Sequence, residues 1–218
     1  MKIHIVTIFP ESFDSYFSSS ILKKSVDNKF LEIFFYKLND FSDLPTKRVD
    51  SKAYWMHWQV LSPIYLSNAV DHIFSKLWKK VPVIYLTPSW DLLNQEYLEQ
   101  FYESDNSQEF ILICWHYEWV DQRFIDLYVD YEISIWEYVL TSWELSSMVF
   151  IDSLIRNIPG VLWNSLSLEE DSFSKKLDRQ KEYPVYTRPE VFKGLSVPSV
   201  LISWNHKKIN DWKNNNLR

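Results

Sequence analysis

Glycine is nearly absent from this chain, with 2 among 218 residues, at Gly160 and Gly194. An average usage of about 7% would give roughly 15 glycines. Because glycine adopts left-handed backbone conformations without a steric penalty, its scarcity leaves most tight turns to residues with side chains. The chain instead contains 11 tryptophans. Those at predicted strand ends and turns, where glycine is expected, include Trp115, Trp119, Trp136 and Trp143. We therefore interpret tryptophan as standing in place of glycine.

Cysteine and long apolar runs are also scarce. The single Cys114 excludes an internal disulfide, and its apolar surroundings predict a buried, unreactive thiol in a reducing compartment. No apolar run approaches the ~18 residues that span a bilayer, and the first residues lack the pattern of a signal peptide. We therefore expect a soluble, cytoplasmic protein without a membrane partner.

The charge balance limits the kind of nucleic-acid binding that is expected. Lys and Arg number 23 against 29 Asp and Glu, for a net charge of −6. This balance argues against nonspecific coating of nucleic acid. It leaves room for recognition of one folded RNA through a local basic patch, and basic residues do cluster at 47–48 and 206–208.

Apolar runs that alternate with amphipathic segments predict a mostly parallel, doubly wound α/β sheet. The predicted strands cover residues 2–9, 31–38, 82–86 and 110–114, and a further strand ends at 134–135. The predicted helices begin at Pro10 and cover residues 63–79, 95–102, 121–126 and 144–156. In the 63–79 helix the apolar residues at helical spacing are Ile64, Leu66, Val70, Ile73, Phe74 and Leu77. In the last helix the predicted buried face consists of Leu145, Met148, Ile151, Leu154 and Ile155.

The domain organisation follows from composition. Residues 1–160 contain the alternating pattern, and Pro159 and Gly160 end it. Residues 161–182 are polar without clear periodicity, which is typical of an interdomain linker. Residues 183–218 form a short, mostly helical C-terminal domain. The chain length suits one large domain with a small appendage.

The central stretch, residues 109–144, contains two successive strand ends that each meet a loop. This is where an α/β sheet places its ligand site. With glycine in place of tryptophan, the loops read CGHYEGVDQR and SIGEYVLTSGE. In that form the stretch resembles the TrmD family, the bacterial tRNA (guanine-N1)-methyltransferases that modify guanosine 37 beside the anticodon. The resemblance covers nearly the whole chain, through FPESF, RVDSKAY, YLTPSW, IDSLIRNIPGVLWNS, EEDSF, YTRPE and LISWNH.

The resemblance implies a SPOUT fold, a Rossmann-like parallel sheet with a deep trefoil knot, which periodicity alone does not predict. It also implies N1 methylation of guanosine 37 by S-adenosylmethionine, a C-terminal domain that binds tRNA, and a homodimer with a shared active site. DNA and membranes are not expected partners. Magnesium dependence is implied by the family, although no ligand set for it can be identified in the sequence.

Three loops are implied to bind S-adenosylmethionine. Adenine needs an apolar slot with backbone donors and acceptors, and Thr87, Ser89 and Glu118 offer hydrogen bonds to the ribose and the amino-acid end. From spacing alone these loops are ordinary strand-end loops, and the family motifs favour the functional interpretation. The cofactor-binding residues are Tyr85, Leu86, Thr87, Pro88, Ser89 and Trp90; Tyr117, Glu118 and Trp119; and Ile135, Trp136, Tyr138, Leu140 and Trp143.

The catalytic residues implied by the resemblance are Asp171 and Arg156. A carboxylate suits removal of the N1 proton of guanine, and a guanidinium suits the negative charge that develops on O6. Without the resemblance, Asp171 is typical of a solvated charge and Arg156 of a residue that complements a helix dipole. The implied substrate-binding residues are Asp50, Ser167 and His206. We predict no protein metal site, because His57 has no second His or Cys at ligand spacing.

Ten tryptophans fall where the family has glycine or where a loop glycine would be natural, and we call them the anomalous tryptophans. Trp212 does not fall at such a position. A gene in which UGA encodes glycine, translated with UGA read as tryptophan, would give this pattern. If the tryptophans are literal, the alternative is an inactive RNA-binding SPOUT protein. A SPOUT methyltransferase that acts on another RNA position is the third possibility. The anomalous tryptophans are Trp55, Trp58, Trp78, Trp90, Trp115, Trp119, Trp136, Trp143, Trp163 and Trp204.

Overall fold

The computed structural model describes residues 1–55, 57–115, 119–163 and 169–218, except for the side chains of Ser89 and Trp90. The chain forms two compact units, Met1–Leu162 and Trp163–Arg218. The predicted domain boundaries at 160 and 183, and the linker between them, stay predictions.

The described residues of the first unit alternate strands and helices along most of their length. The strands are β1 (Lys2–Thr7), β2 (Glu32–Lys37), β3 (Asp50–Lys52), β4 (Gln59–Leu61), β5 (Val83–Leu92), β6 (Glu109–Ile113), β7 (Trp119–Val120) and β8 (Tyr131–Ser134). The helices are α1 (Asp14–Phe17), α2 (Ser20–Asp27), α3 (Pro63–Leu77), α4 (Gln95–Glu103), α5 (Gln122–Tyr128) and α6 (Glu144–Ile155). Short 3₁₀ helices occur at Pro10–Phe13, Leu38–Phe41 and Asp105–Ser107.

A five-stranded sheet with the order β2-β1-β6-β5-β8 forms the centre of the first unit. All of its strand pairings are parallel. Strand β6 is apolar and fully buried from Phe110 to Ile113, because helices cover both faces of a parallel sheet. The predicted parallel α/β class is confirmed. The trefoil knot stays a prediction.

Strand β5 leaves the sheet and returns to it. Leu86 and Asp91 both stand opposite Ile133 of β8, so the register shifts between them. The four residues 87–90 are therefore an insertion in the β5–β8 ladder, and they protrude at the carboxyl end of the sheet. The predicted strand at 82–86 corresponds to the first part of β5, and the return to the sheet at 91–92 was not predicted.

Helix α6 buries Ile151, Leu154 and Ile155, as predicted, but it does not bury Leu145. Leu145 is 51% exposed, whereas Glu144 is 1% exposed, and Phe150 is fully buried. Residues 144, 147, 151 and 154 share one side of a helix with 3.6 residues per turn, and that side faces the core. Leu145 points about 100° away from Glu144, so its predicted inward position is wrong. Ile64, at the exposed start of α3, is also 62% exposed rather than buried.

The second unit contains the hairpin β9 (Val191–Phe192) and β10 (Leu195–Ser196), the short helix α7 (Ser199–Ile202) and α8 (His206–Asn215). Backbone hydrogen bonds in both directions join Lys181 and Arg218, at 2.9 and 3.1 Å. The Glu170 carboxylate accepts hydrogen bonds from the Tyr183 hydroxyl at 2.6 Å and the Lys213 ammonium at 2.9 Å. Polar contacts therefore hold the first part of this unit against α8.

Candidate active site

The carboxyl ends of β5, β6 and β8 lie side by side, because these three strands are parallel neighbours. All three predicted cofactor loops start from these strand ends. Ligands of open α/β sheets bind outside the carboxyl ends of the strands. The sheet therefore brings the predicted cofactor loops to a single edge.

The first loop leaves β5 through a tightly packed base. Tyr85, Leu86 and Thr87 are buried and Pro88 is half-buried. Burial, and after it the negative charge of Glu132, raises the pKa of the Tyr85 phenol, so this hydroxyl stays protonated at neutral pH. A protonated hydroxyl can donate a hydrogen bond within the site.

The third loop follows β8 and is more open. The Ser134 hydroxyl donates to the Trp136 carbonyl oxygen at 2.9 Å, which turns the chain immediately after the strand. Ile135 and Leu140 are half-buried, while Trp136 and Tyr138 are exposed. In the second loop Trp119 is exposed, and Tyr117 and Glu118 lie outside the described residues.

Two indoles fill the interior behind these loops. Trp115, which follows Cys114 at the end of β6, and Trp143, immediately before α6, are 6% and 2% exposed. Their rings stack with centroids 4.8 Å apart and an interplanar angle of 15°. The Trp115 indole N–H donates to the Leu86 carbonyl oxygen at 2.8 Å. A planar aromatic pair thus occupies the space between the first and third loops.

The other anomalous tryptophans whose side chains are described are exposed. Trp78, at the carboxyl end of α3, and Trp204 have left-handed backbones, with φ of 55° and 54°, a conformation that favours glycine. In contrast, Trp212 is half-buried, with ring centroids 6.5 Å from Tyr183 and 6.2 Å from Tyr186. Trp212 therefore has the environment of a packed tryptophan. Those exposed are Trp55, Trp58, Trp78, Trp119, Trp136, Trp163 and Trp204.

The two predicted catalytic residues lie in different units. Arg156 follows the last residue of α6 and is exposed. Asp171 is half-buried in the second unit, and its carbonyl oxygen accepts a hydrogen bond from the Ser174 N–H at 3.1 Å. Their mutual distance therefore depends on how the units are arranged, and both roles stay predictions.

The predicted substrate-binding residues are similarly dispersed. The Asp50 carboxylate is 7% exposed and pairs with Arg48, whose Nη2 lies 3.0 Å from Oδ2. His206 is exposed and begins α8, which is capped by the Asn205 side chain accepting from the Lys208 N–H. Ser167 lies outside the described residues.

A buried polar cluster beside this edge was missed by sequence reasoning. The Thr7 hydroxyl donates to Glu144 Oε1 at 2.7 Å, and Cys114 Sγ lies 2.9 Å from Ser147 Oγ. Cys114 is buried, as predicted. Burial, and after it the charge of Glu144, raises the pKa of its thiol. The residue spacing in α6 could have revealed this cluster, because it places Glu144 on the same side of the helix as Ile151.

A cavity of about 520 Å³ lies at the opposite edge of the sheet, near the amino ends of β5 and β8, and its lining includes Asp71, Lys80, Pro82 and Asp130. Ligand sites of parallel sheets lie at the carboxyl ends, so we do not assign the cofactor to this cavity. Among the described residues, no cluster of three His, Cys, Asp or Glu side chains could hold a metal ion. No helix in the described part of the chain is long and apolar enough to cross a membrane.

The fold is that of a parallel α/β protein, a class that binds ligands at the carboxyl ends of its strands. The family model described as tRNA (Guanine-1)-methyltransferase TrmD matches residues 1–218. The chain belongs to the TrmD family. The family prediction is confirmed, and with it the predicted enzyme class, a methyltransferase.

Individual relatives agree with the family match. The tRNA (guanine-N(1)-)-methyltransferase of Clostridioides difficile (strain 630) is 44% identical over 215 residues, covering 98% of this chain and 90% of the relative. The corresponding protein of Alkaliphilus metalliredigens (strain QYMF) is 41% identical over 216 residues, covering 98% and 85%. The crystal structure of tRNA (m1G37) methyltransferase from Aquifex aeolicus superposes with a TM-score of 0.78 at 29% identity, covering 98% of this chain and 88% of that one.

Proposed function

We propose that this protein transfers a methyl group from S-adenosylmethionine to N1 of guanosine 37 in tRNA. The observation that carries the proposal is the match to the TrmD family over the whole chain. The structural relative from Aquifex aeolicus is a tRNA (m1G37) methyltransferase. Because N1 lies on the Watson–Crick edge of guanine, its methylation blocks base pairing beside the anticodon.

The adenine of the donor is proposed to bind beside Leu86, in the space that the Trp115 and Trp143 rings occupy in this chain. In this chain the Leu86 carbonyl accepts from a planar aromatic N–H, and a second ring stacks on the first. Adenine is likewise planar, has apolar faces and carries an amino donor. With glycine at 115 and 143, both the carbonyl and the stacking space become available to it. The remainder of the donor is proposed to contact the predicted cofactor-binding residues of the three loops.

S-adenosylmethionine supplies the methyl group, and its sulfur retains the electron pair of the broken bond. Asp171 acts as the general base, accepting the N1 proton as N1 forms its bond to the methyl carbon. Arg156 stabilises the negative charge that develops on guanine O6. No covalent enzyme intermediate is needed, so alignment of N1 with the methyl group supplies much of the rate.

The working enzyme is proposed to be a homodimer in which the linker of one protomer covers the donor pocket of the other. The placement of Arg156 and Asp171 in different units is compatible with a site built from two protomers. Asp50, Ser167 and His206 are proposed to contact tRNA. Sedimentation of the protein alone and with tRNA tests the dimer, and a monomer that is fully active would contradict it.

Magnesium dependence and a cytoplasmic location are proposed on the family resemblance. Magnesium prefers oxygen ligands and keeps several waters, so it is commonly bound through few carboxylates together with substrate oxygens. Methyl transfer after treatment with a chelator, followed by addition of magnesium, tests this part. Unchanged transfer in the presence of the chelator would remove magnesium from the proposal.

The deciding experiment measures methyl transfer from labelled S-adenosylmethionine to two tRNA transcripts, which carry G or A at position 37. The protein is the full chain with glycine at the ten anomalous positions, called the glycine form below. Transfer to the G transcript alone supports the proposal. Transfer to both transcripts would indicate another RNA position, and no transfer by a folded dimer would contradict the proposed activity.

The stacked pair Trp115–Trp143 favours a second candidate, an inactive RNA-binding protein whose donor slot is blocked. Two buried indoles leave no room for an adenine in the same space. Peptide sequencing of the protein from its own cells distinguishes the two candidates. Glycine at the anomalous positions supports the enzyme, whereas tryptophan there, with UGG codons in the gene, supports the blocked form.

A further inference from the structure

His4 is a buried histidine in the five-stranded sheet. It lies on β1 and is 2% exposed. Its Nδ1 lies 3.2 Å from the Tyr36 hydroxyl oxygen on β2, and its Nε2 lies 3.3 Å from Glu109 Oε1 on β6. Because an ionised carboxylate only accepts hydrogen bonds, Nε2 of the neutral ring carries the proton, and Nδ1 accepts from the Tyr36 hydroxyl. One imidazole therefore connects three neighbouring strands.

The Glu109 carboxylate is shared between His4 and a lysine. Its Oε2 lies 2.6 Å from the Lys79 ammonium, whereas its Oε1 faces His4. Within the described part of the chain, no second carboxylate bonds to the imidazole. The ammonium groups of Lys76 and Lys2 repel a positive charge on the ring. The one negative charge beside His4 is thus already compensated before the ring takes up a proton.

The other neighbours of His4 exclude water without adding negative charge. The Phe34 ring stacks on the imidazole, with centroids 5.0 Å apart and an interplanar angle of 16°. On α3, the His72 ring centroid lies 6.2 Å from that of Tyr36, and the Lys76 ammonium lies 5.6 Å from the Tyr36 ring. The groups of α3 that contact Tyr36 are therefore a titratable imidazole and a cation.

Protonation of His4 disturbs this arrangement in two ways. Burial disfavours the charged imidazolium, and it lowers the pKa of His4 against the opposing effect of Glu109. A proton on Nδ1 also turns this atom from an acceptor into a donor, so the Tyr36 hydroxyl loses the acceptor for its own proton. A buried donor without a partner is costly. The surroundings therefore fit the neutral ring better than the charged one.

We propose that Tyr36, His4 and Glu109 form an acid-sensitive junction, which holds β2, β1 and β6 together while His4 is neutral and weakens when His4 takes up a proton. This inference is independent of the proposed enzymatic activity. The folded pKa of His4 is lowered, so the stabilising contribution is complete above the unfolded pKa of about 6.5. It is lost as pH falls through the folded value.

The first test is an NMR titration of the His4 imidazole in the full chain, with the resonance assigned through its bonds to the backbone. The glycine form serves, because the junction contains none of the anomalous tryptophans. We expect a midpoint below that of an ordinary histidine. Glu109→Gln removes the nearest negative charge and should lower the midpoint further. A midpoint at or above the ordinary value, or one that Glu109→Gln leaves unchanged, would overturn the proposal.

The second test measures hydrogen exchange of the β1, β2 and β6 amides between pH 7 and pH 5, corrected for the intrinsic pH dependence of exchange. Protection should fall towards pH 5. His4→Gln should lose most of this dependence, because its amide can donate to Glu109 and accept from Tyr36 but takes up no proton. The matched control, His57→Gln, changes an exposed histidine of the same unit and should retain the dependence.

Equal pH dependence in the unsubstituted chain, His4→Gln and His57→Gln would show that His4 does not control the sheet, and it would overturn the proposal. If His4→Gln does not fold, the titration of the unsubstituted chain and of Glu109→Gln still decides the question. Neither test requires methyl transfer, so an inactive protein would contradict the proposed function and leave this inference standing.

Discussion

The two units differ in charge and in how they are held together. Met1–Leu162 contains 13 Lys and Arg against 22 Asp and Glu, a net charge of −9. Trp163–Arg218 contains 10 against 7, a net charge of +3. The first unit encloses a buried parallel sheet, whereas in the described part of the second only Ser174 and Leu177 are buried. The net charge of the whole chain is −6, yet its second unit is basic, which suits binding to RNA.

The contrast supports the proposal that each unit has a separate chemical task. In that proposal the acidic unit binds the small ligand at its sheet edge, and the basic unit supplies positive charge for a polyanion. The proposed catalytic pair is divided between them, with Arg156 on one and Asp171 on the other. The following predictions, in order of decreasing effect, test this division.

The largest effect is expected from Asp171→Asn in the glycine form. Removing the general base should lower the rate constant of methyl transfer about a hundredfold or more, with tRNA and donor binding retained. Single-turnover transfer measures this rate. Asp178→Asn is the matched control, because Asp178 is exposed and has a left-handed backbone that asparagine tolerates. Equal losses in both variants would exclude a specific role for Asp171.

The second prediction compares two tryptophans, one in each unit. Trp212→Gly removes ring contacts with Tyr183 and Tyr186 and should destabilise the second unit by about 2 kcal/mol. Trp78→Gly relieves a left-handed backbone and should stabilise the first unit by about 1 kcal/mol. Hydrogen exchange resolves each unit separately. Destabilisation by Trp78→Gly would contradict the view that this site requires glycine.

The third prediction concerns the basic unit. The double variant Lys207→Gln and Lys208→Gln should weaken tRNA binding about tenfold. It should also make the slope of the log binding constant against log salt concentration shallower by about 2. Both lysines are exposed on α8. Filter binding at several salt concentrations measures both quantities. The control, Lys23→Gln with Lys24→Gln on the exposed side of α2, should change neither, and an equal effect there would place the RNA on the acidic unit.

The smallest effect is a pH dependence of the second unit. The Tyr183 hydroxyl, followed by Lys213 and Lys176, lowers the pKa of the Glu170 carboxyl. A lowered pKa in the folded state stabilises the unit above the unfolded pKa of about 4.3, and this contribution disappears as pH falls through the folded value. Because Glu170 is 44% exposed, the contribution should be about 1 kcal/mol or less.

Hydrogen exchange of residues 169–218 between pH 6 and pH 3 measures this contribution. Glu170→Gln should flatten the profile over that range, and the exposed Glu182→Gln should leave it unchanged. An unaltered profile in the Glu170 variant would show that the network with Tyr183 and Lys213 does not stabilise the unit.

Sequence reasoning was most successful where one local pattern decided the structure. Strand β6 is a continuous apolar run, which a buried parallel strand requires, and α3 begins at a proline in its first turn. The family motifs predicted the three loops as a set, and their role in cofactor binding stays a prediction. Leu145 was assigned to the wrong face because a carboxylate, Glu144, occupies the inward position that apolar spacing gave to its neighbour.

The sequence by itself determined the alternation of strands and helices, the family and the anomalous tryptophans, because these depend on local composition and motif order. Only the tertiary structure decided that residues 87–90 leave the sheet and that Trp115 and Trp143 stack beside Leu86. It alone also decided that one buried oxygen of Glu144 has no hydrogen-bond partner among the described residues. These features arise between residues far apart in the chain. Their energies depend on burial and contact geometry, which no single segment specifies.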